Sequence, residues 1–156
     1  MTRDGKLVLI RQERLPIREQ IWEMPAGQID DDVGGIADPG HSPPHPTIEA
    51  VALRELREET GWELAEDGQL IPLGHYFTSP GFTDERGYFF LARPVQAGTA
   101  GHAHDASESI LDCRSFSPGE LSRMIRENEI RDANTLSICA RLIGGGYLTL
   151  APNASP

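Results

Sequence analysis

Residues 54–62, Arg-Glu-Leu-Arg-Glu-Glu-Thr-Gly-Trp, constrain this chain more than any other stretch. On an α-helix Glu55, Glu58 and Glu59 stand at i, i+3 and i+4 and so project from one face. Carboxylates this close repel one another and disfavour the helix unless a cation offsets them. Ala52, Leu53 and Leu56 form an apolar stripe beside them, so the helix can pack on a sheet while offering its carboxylates to a cleft. Gly61 supplies the left-handed residue that ends it. Hard oxygen ligands with water completing the shell suit Mg²⁺, with Mn²⁺ as the alternative, rather than zinc. A solvated acidic face is the plainer account, and two adjacent glutamates alone would not displace it. The full nine-residue order does.

That order resembles the second half of the Nudix box, G-x5-E-x7-R-E-U-x-E-E-x-G-U, where U is a bulky aliphatic residue. Arg54, Glu55, Leu56, Glu58, Glu59 and Gly61 fall in their places, and Trp62 replaces the final aliphatic. The candidate for the box glycine is Gly27, in Glu23-Met24-Pro25-Ala26-Gly27. Gly27 and Arg54 are 27 positions apart where the pattern has 14, so 13 residues are inserted. Residues 30–46, rich in Gly, Pro and Asp and without periodicity, read as that insertion, an exposed loop. The place of the first box glutamate, eight residues before Arg54, is held by Pro46. Glu49 or one of the aspartates at 30–32 is the substitute the sequence offers.

A chain of 156 residues is long enough for one domain with a real core. A formal charge of −10 argues against nonspecific nucleic-acid binding, which needs clustered Lys and Arg. An acidic protein acting on an anion needs cations between the two, and a glutamate-held metal provides them. Cys113 and Cys139 do not make a disulfide framework; each reads as a small buried residue. No stretch reaches the length of a membrane span, and Leu7–Ile10 is too short for a signal peptide. A cytoplasmic, reduced protein without membrane partners is expected.

Along the chain, Lys6–Gln12 and Ile21–Met24 read as strands, followed by the inserted loop. Thr47 is the expected N-cap of a helix running to about Thr60. Strands follow at Leu70–Phe77, Tyr88–Ala92 and Ile110–Phe116, with a polar loop at His102–Ser109. Ser117-Pro118-Gly119-Glu120 opens a helix to about Asn128, and a last helix spans Asn134–Ile143. The expected fold is α/β, a mixed β-sheet between helices. The resemblance likewise implies a Nudix-type α/β/α sandwich, one domain over residues 1–146, with 147–156 a loosely held tail.

Further segments resemble the ADP-ribose pyrophosphatase and nucleotide-sugar hydrolase branch of the family. Ile10-Arg11-Gln12-Glu13-Arg14 followed by the Glu-x-Pro-Ala-Gly turn is similar to that branch. The match implies Arg14 as a phosphate or ribose contact, Glu23 as a substrate or metal contact, and the Ala26 carbonyl as a metal ligand beside Glu55, Glu59 and Glu58. Ser79-Pro80-Gly81-Phe82-Thr83-Asp84-Glu85 is similar to a loop in which a tight turn brings backbone N–H groups and a glutamate to the ligand. Gly81 and Phe82 are thereby substrate contacts and Glu85 a catalytic candidate. In the acidic loop Asp105–Glu108 the branch often carries Glu-x-Glu; here Ala106 replaces one, leaving Glu108 as the general base with Glu85 behind it.

The resemblance implies metal-dependent hydrolysis of ADP-ribose or a related nucleoside diphosphate sugar to a nucleoside monophosphate and a sugar phosphate, with Arg54 positioning Glu55. Other nucleoside diphosphate derivatives are the nearest alternative substrates. A non-catalytic Nudix module that binds a nucleotide metabolite is the alternative of a different class, favoured by Pro46 and Ala106. Relatives in the branch pair through an N-terminal extension, whereas this chain starts almost at its first core strand, which leaves a homodimer open.

Overall fold

Leu7-Val8-Leu9-Ile10 is an apolar, β-favouring run without a polar face, the pattern of a strand covered on both sides. It is the centre of the fold. In the computed structural model, which describes residues 1–29, 45–98 and 109–150, this run lies in β1 (Leu7–Arg14), flanked by β2 (Glu19–Glu23) and β5 (Ile110–Phe116) in the order β2–β1–β5. Both pairings are antiparallel; Ile10 faces Glu23 on one side and Cys113 on the other. A long ribbon of β3 (Trp62–Phe77) and β4 (Arg86–Ala97) forms a second, two-stranded sheet. It is tied to the residues before β1 by a parallel bridge between Thr2 and Val95.

Helices cover both faces. Leu7 and Leu9 point into a cluster with Phe89, Leu91, Leu121, Met124, Ile138 and Leu142, which joins α2 (Pro118–Arg126) and α3 (Ala133–Gly144) to the strands. Val8, one residue out of phase, points the other way to Leu56 of α1 (His45–Thr60) and Val95. The two-residue period of β1 thus separates α1 from α2 and α3. Leu9 and Leu121 are 0 % exposed, and each such burial contributes roughly 1.5–3 kcal/mol. The α/β class with helices on both sides of the strands is as expected. Parallel pairing, expected within a mixed sheet, is confined among the described residues to the Thr2–Val95 bridge.

Several boundaries differ from expectation for identifiable reasons. Helix α1 starts at His45, so Thr47 lies inside it rather than at its N-cap, and Pro46 falls in the first turn, where its missing N–H is harmless. Gly61 ends the helix with φ +69, its N–H donating to the Arg57 carbonyl at 2.9 Å. β3 begins at Trp62 instead of Leu70, because a register shift between Leu64 and Gln69 breaks the alternation that reveals a strand. Helix α2 opens with Ser117 and Glu120 in a reciprocal capping box. The tail is docked at its start: Leu148 is 3 % exposed in the first cluster, and Tyr147 and Leu150 pack against it. Most of the expected insertion, the acidic loop with Glu108, and residues 151–156 lie outside the described residues.

Among the described residues no helix is long and apolar enough to cross a membrane. Cys139 is buried, and Cys113 is half-buried with its thiol donating to the Thr60 carbonyl at 3.7 Å. Burial pushes both thiols up to about 11, helped at Cys113 by Asp112 and Glu59. The thiolate is the reactive form, so at pH 8 the folded protein carries about a hundredfold less of it than an ordinary cysteine. Iodoacetamide should label neither residue in the folded protein and both in denaturant. Labelling of folded protein at the denatured rate would contradict this burial.

Candidate active site

The site is built where β2 runs out. Past Glu23 the chain leaves the sheet as Met24-Pro25-Ala26-Gly27, and this segment crosses the acidic face of α1. The Ala26 N–H donates to Glu59 Oε2 at 2.8 Å. Gly27 lies so close to Glu55 that a Cβ there would fall 2.0 Å from Glu55 Cδ. Because side chains one helical turn apart stack along one face, both carboxylates meet the same segment. Glu59 is 1 % exposed and Glu55 8 %. Burying two carboxylates this close is costly, so the arrangement is one that positive charge stabilises.

Arg54 supplies part of that charge. Its Nη2 lies 2.7 Å from Glu55 Oε1 and its Nη1 3.2 Å from Glu58 Oε2. The expected positioning bond from Arg54 to Glu55 is therefore present. Glu58 is more exposed and turns toward Arg54 and Arg57. Among the described residues no group of three or more His, Cys, Asp or Glu side chains converges on one point to hold a metal. Glu55 and Glu59 are nevertheless a buried pair of carboxylate-oxygen donors, the chemistry a hard divalent cation requires, and the exposed Ala26 beside Glu59 adds a backbone carbonyl of the same kind. The residues present fit such an ion, with Glu58 outside the pair.

Arg14 is tied to Glu23, the residue just before the segment. It projects from the same face of β1 as Gln12 and Ile10, and reaches along the sheet to Glu23. Nε and Nη2 donate to the two carboxylate oxygens at 2.8 and 2.6 Å, a bidentate pair in which Glu23 is buried and Arg14 about half exposed. The Glu23 hydrogen bonds, with the charges of Glu23, Asp132 and Glu59, raise the guanidinium pKa further above its usual range. Arg14 and Glu23, read from the sequence as separate substrate contacts, are each other's partner.

The Ser79–Glu85 loop closes the β3–β4 ribbon. Phe82 and Thr83 N–H both donate to the Ser79 carbonyl, at 2.8 and 2.9 Å, making the expected tight turn at Pro80-Gly81. Glu85 accepts from the Thr78 hydroxyl at 2.7 Å and closes the loop on itself. Phe82 is 92 % exposed; with Phe77 and Pro80–Asp84 it borders an open cleft of about 440 Å³. The Tyr76 hydroxyl is held above its usual pKa by burial and by the charges of Asp132 and Glu85.

Two residues that sequence reading missed hold the segment from α3. Asp132 caps that helix, and Thr135, 0 % exposed, accepts the Met24 N–H at 2.9 Å. The cap was legible as an Asp before a helical run; the contact of Thr135 with a strand end 111 residues earlier was not.

A buried box glutamate pair over an Ala-Gly turn, on a helix packed against this strand order, invites comparison with known proteins. The NUDIX domain family matches residues 1–137. The chain belongs to the Nudix family. The ADP-ribose pyrophosphatase of Bacillus subtilis (strain 168) is 30% identical over 135 residues, 86% of this chain and 64% of that protein. The ADP-ribose pyrophosphatase of Mycobacterium tuberculosis (strain ATCC 25618 / H37Rv) is 31% identical over 142 residues, 91% of this chain and 60% of that one. The methanol dehydrogenase activator of Bacillus methanolicus is 31% identical over 136 residues, 87% of this chain and 64% of that protein. This Nudix chain thus spans somewhat under two thirds of the length of these relatives.

Proposed function

We propose that this Nudix protein hydrolyses the pyrophosphate bond of ADP-ribose or a closely related nucleoside diphosphate sugar, releasing a nucleoside monophosphate and a sugar phosphate. The observation that carries the reading is the nearly complete burial of Glu59 against the Ala26 N–H, with Glu55 one turn away on Gly27. Two relatives named ADP-ribose pyrophosphatase support the substrate.

A pyrophosphate resists attack because its anionic oxygens repel nucleophiles. Mg²⁺, with Mn²⁺ as a substitute, supplies charge neutralisation and a more acidic bound water when held by Glu55, Glu59 and the Ala26 carbonyl. Arg54 keeps Glu55 turned to the segment. Arg14, with Nη1 not committed to Glu23, orients a phosphate of the substrate. Glu108 takes the proton from the attacking water, with Glu85 the second candidate for that role. Gly81 and Phe82 form the wall against which the nucleoside or sugar lies.

The test is release of AMP from ADP-ribose with Mg²⁺, run with and without chelator, beside GDP-mannose and UDP-glucose. Chelator-sensitive AMP release is the expected result. Absence of turnover on all three, with the melting temperature raised by ADP-ribose, would replace hydrolysis by metabolite binding.

A further inference from the structure

Met24-Pro25-Ala26-Gly27 has three backbone N–H groups, since Pro25 has none, and two of them are committed to distant elements. Ala26 is held by Glu59 from α1, and Met24 by Thr135 from α3. The second hold is itself ordered. Asp132 Oδ2 takes both the Thr135 N–H and the Thr135 hydroxyl proton, each at 2.7 Å. With its only proton spent on Asp132, the hydroxyl presents lone pairs to Met24. The residue is 0 % exposed, so water has no access to replace either bond.

We propose that Thr135 is a positioning residue for the catalytic segment: through Met24 it sets where Ala26, Gly27 and Glu23 stand relative to α1. This deepens the hydrolase reading and rests on it for its effect on rate. An ordinary helix cap has no need of the Thr135 hydroxyl, because the Asp132 carboxylate already satisfies the Thr135 N–H at the start of α3. The hydroxyl serves Met24. Asp132, the N-cap of α3, also adds its charge to those of Glu23 and Glu59 at Arg14, so the start of α3 bears on Arg14 as well as on Met24.

The variant is Thr135→Val, which keeps the side-chain shape and removes both hydroxyl bonds, with Thr135→Ser as its conservative partner. Two readouts are taken: amide hydrogen exchange at Ala26, and kcat on ADP-ribose. Thr135→Val should speed Ala26 exchange about tenfold or more and lower kcat by a similar factor, while Thr135→Ser stays near wild type in both. A melting temperature that falls while Ala26 exchange and kcat hold would overturn the proposal and leave Thr135 a structural residue. If Thr135→Val fails to fold, exchange in the wild type decides. Met24, Ala26 and Thr135 should then be protected as one unit, and rapid exchange at Met24 beside a protected Ala26 would overturn the coupling. A wild type inactive on every nucleoside diphosphate sugar defeats the hydrolase reading alone, and the exchange result still decides the coupling.

Discussion

Glu59→Gln is expected to cut turnover by about a thousandfold or more while leaving the fold intact. The replacement has nearly the same shape, and its amide oxygen can still accept the Ala26 N–H that Glu59 now takes. What disappears is one buried negative charge. If that charge holds a divalent cation, several kcal/mol of transition-state stabilisation go with it, and each 1.36 kcal/mol is a factor of ten in rate. Without metal the melting temperature should stay within about 4 °C of wild type, which corresponds to roughly 1 kcal/mol. With Mg²⁺ the two proteins should part. Wild type rises in melting temperature because the ion binds only the folded state, and the variant does not follow. Full turnover in Glu59→Gln would remove Glu59 from the metal site and with it the main support for the mechanism.

What could be read from the sequence was local. The nine residues 54–62 were enough to expect the helix, its acidic face and its stop, because helix periodicity and a left-handed glycine act over a few residues. Of the expected apolar stripe Leu56 is buried, whereas Ala52 and Leu53 are only partly covered and the burial falls on Ile48 and Val51, because the contact with the strands sets which face turns inward. β1 and β5 were legible for the same reason. The Ser117 cap followed from a motif four residues long. The first half of β3 was hidden by a register shift, which only the partner strand defines. At the site, residue types were visible and their partners were not. Arg14 and Glu23 were both singled out, yet that they bind one another depends on the register of β1 against β2. Glu55, Glu58 and Glu59 were read as one acidic face. Tertiary contact divides it, since Ala26 and Gly27 cover two of the carboxylates while Arg54 draws the third aside. The hold of Thr135 on Met24 joins residues 111 apart and has no sequence signature.

The other large effect is expected from a single methyl group. Gly27→Ala would place a Cβ 2.0 Å from Glu55 Cδ, 2.1 Å from its Oε1 and 2.3 Å from its Cγ. No pair of unbonded atoms tolerates such a separation, so something must move. Glu55 is poorly placed to yield, because it is 8 % exposed and tied to Arg54 at 2.7 Å. The segment is held as firmly, by Thr135 at Met24 and by Glu59 at Ala26. Either the carboxylate or the segment is therefore displaced, and in both cases the donor set around Ala26 opens. Turnover should fall about a hundredfold or more, since a misplacement of about 1 Å costs on that order. Stability should fall by roughly 1–3 kcal/mol, the usual penalty of overfilling a packed site. A double-mutant cycle with Glu55→Ala separates this contact from any general intolerance of Ala at position 27. In the Glu55→Ala background the added methyl has room, so Gly27→Ala should cost almost no further stability, although activity stays lost with Glu55. An undiminished penalty in that background would mean that the glycine is required for some reason other than the approach of Glu55.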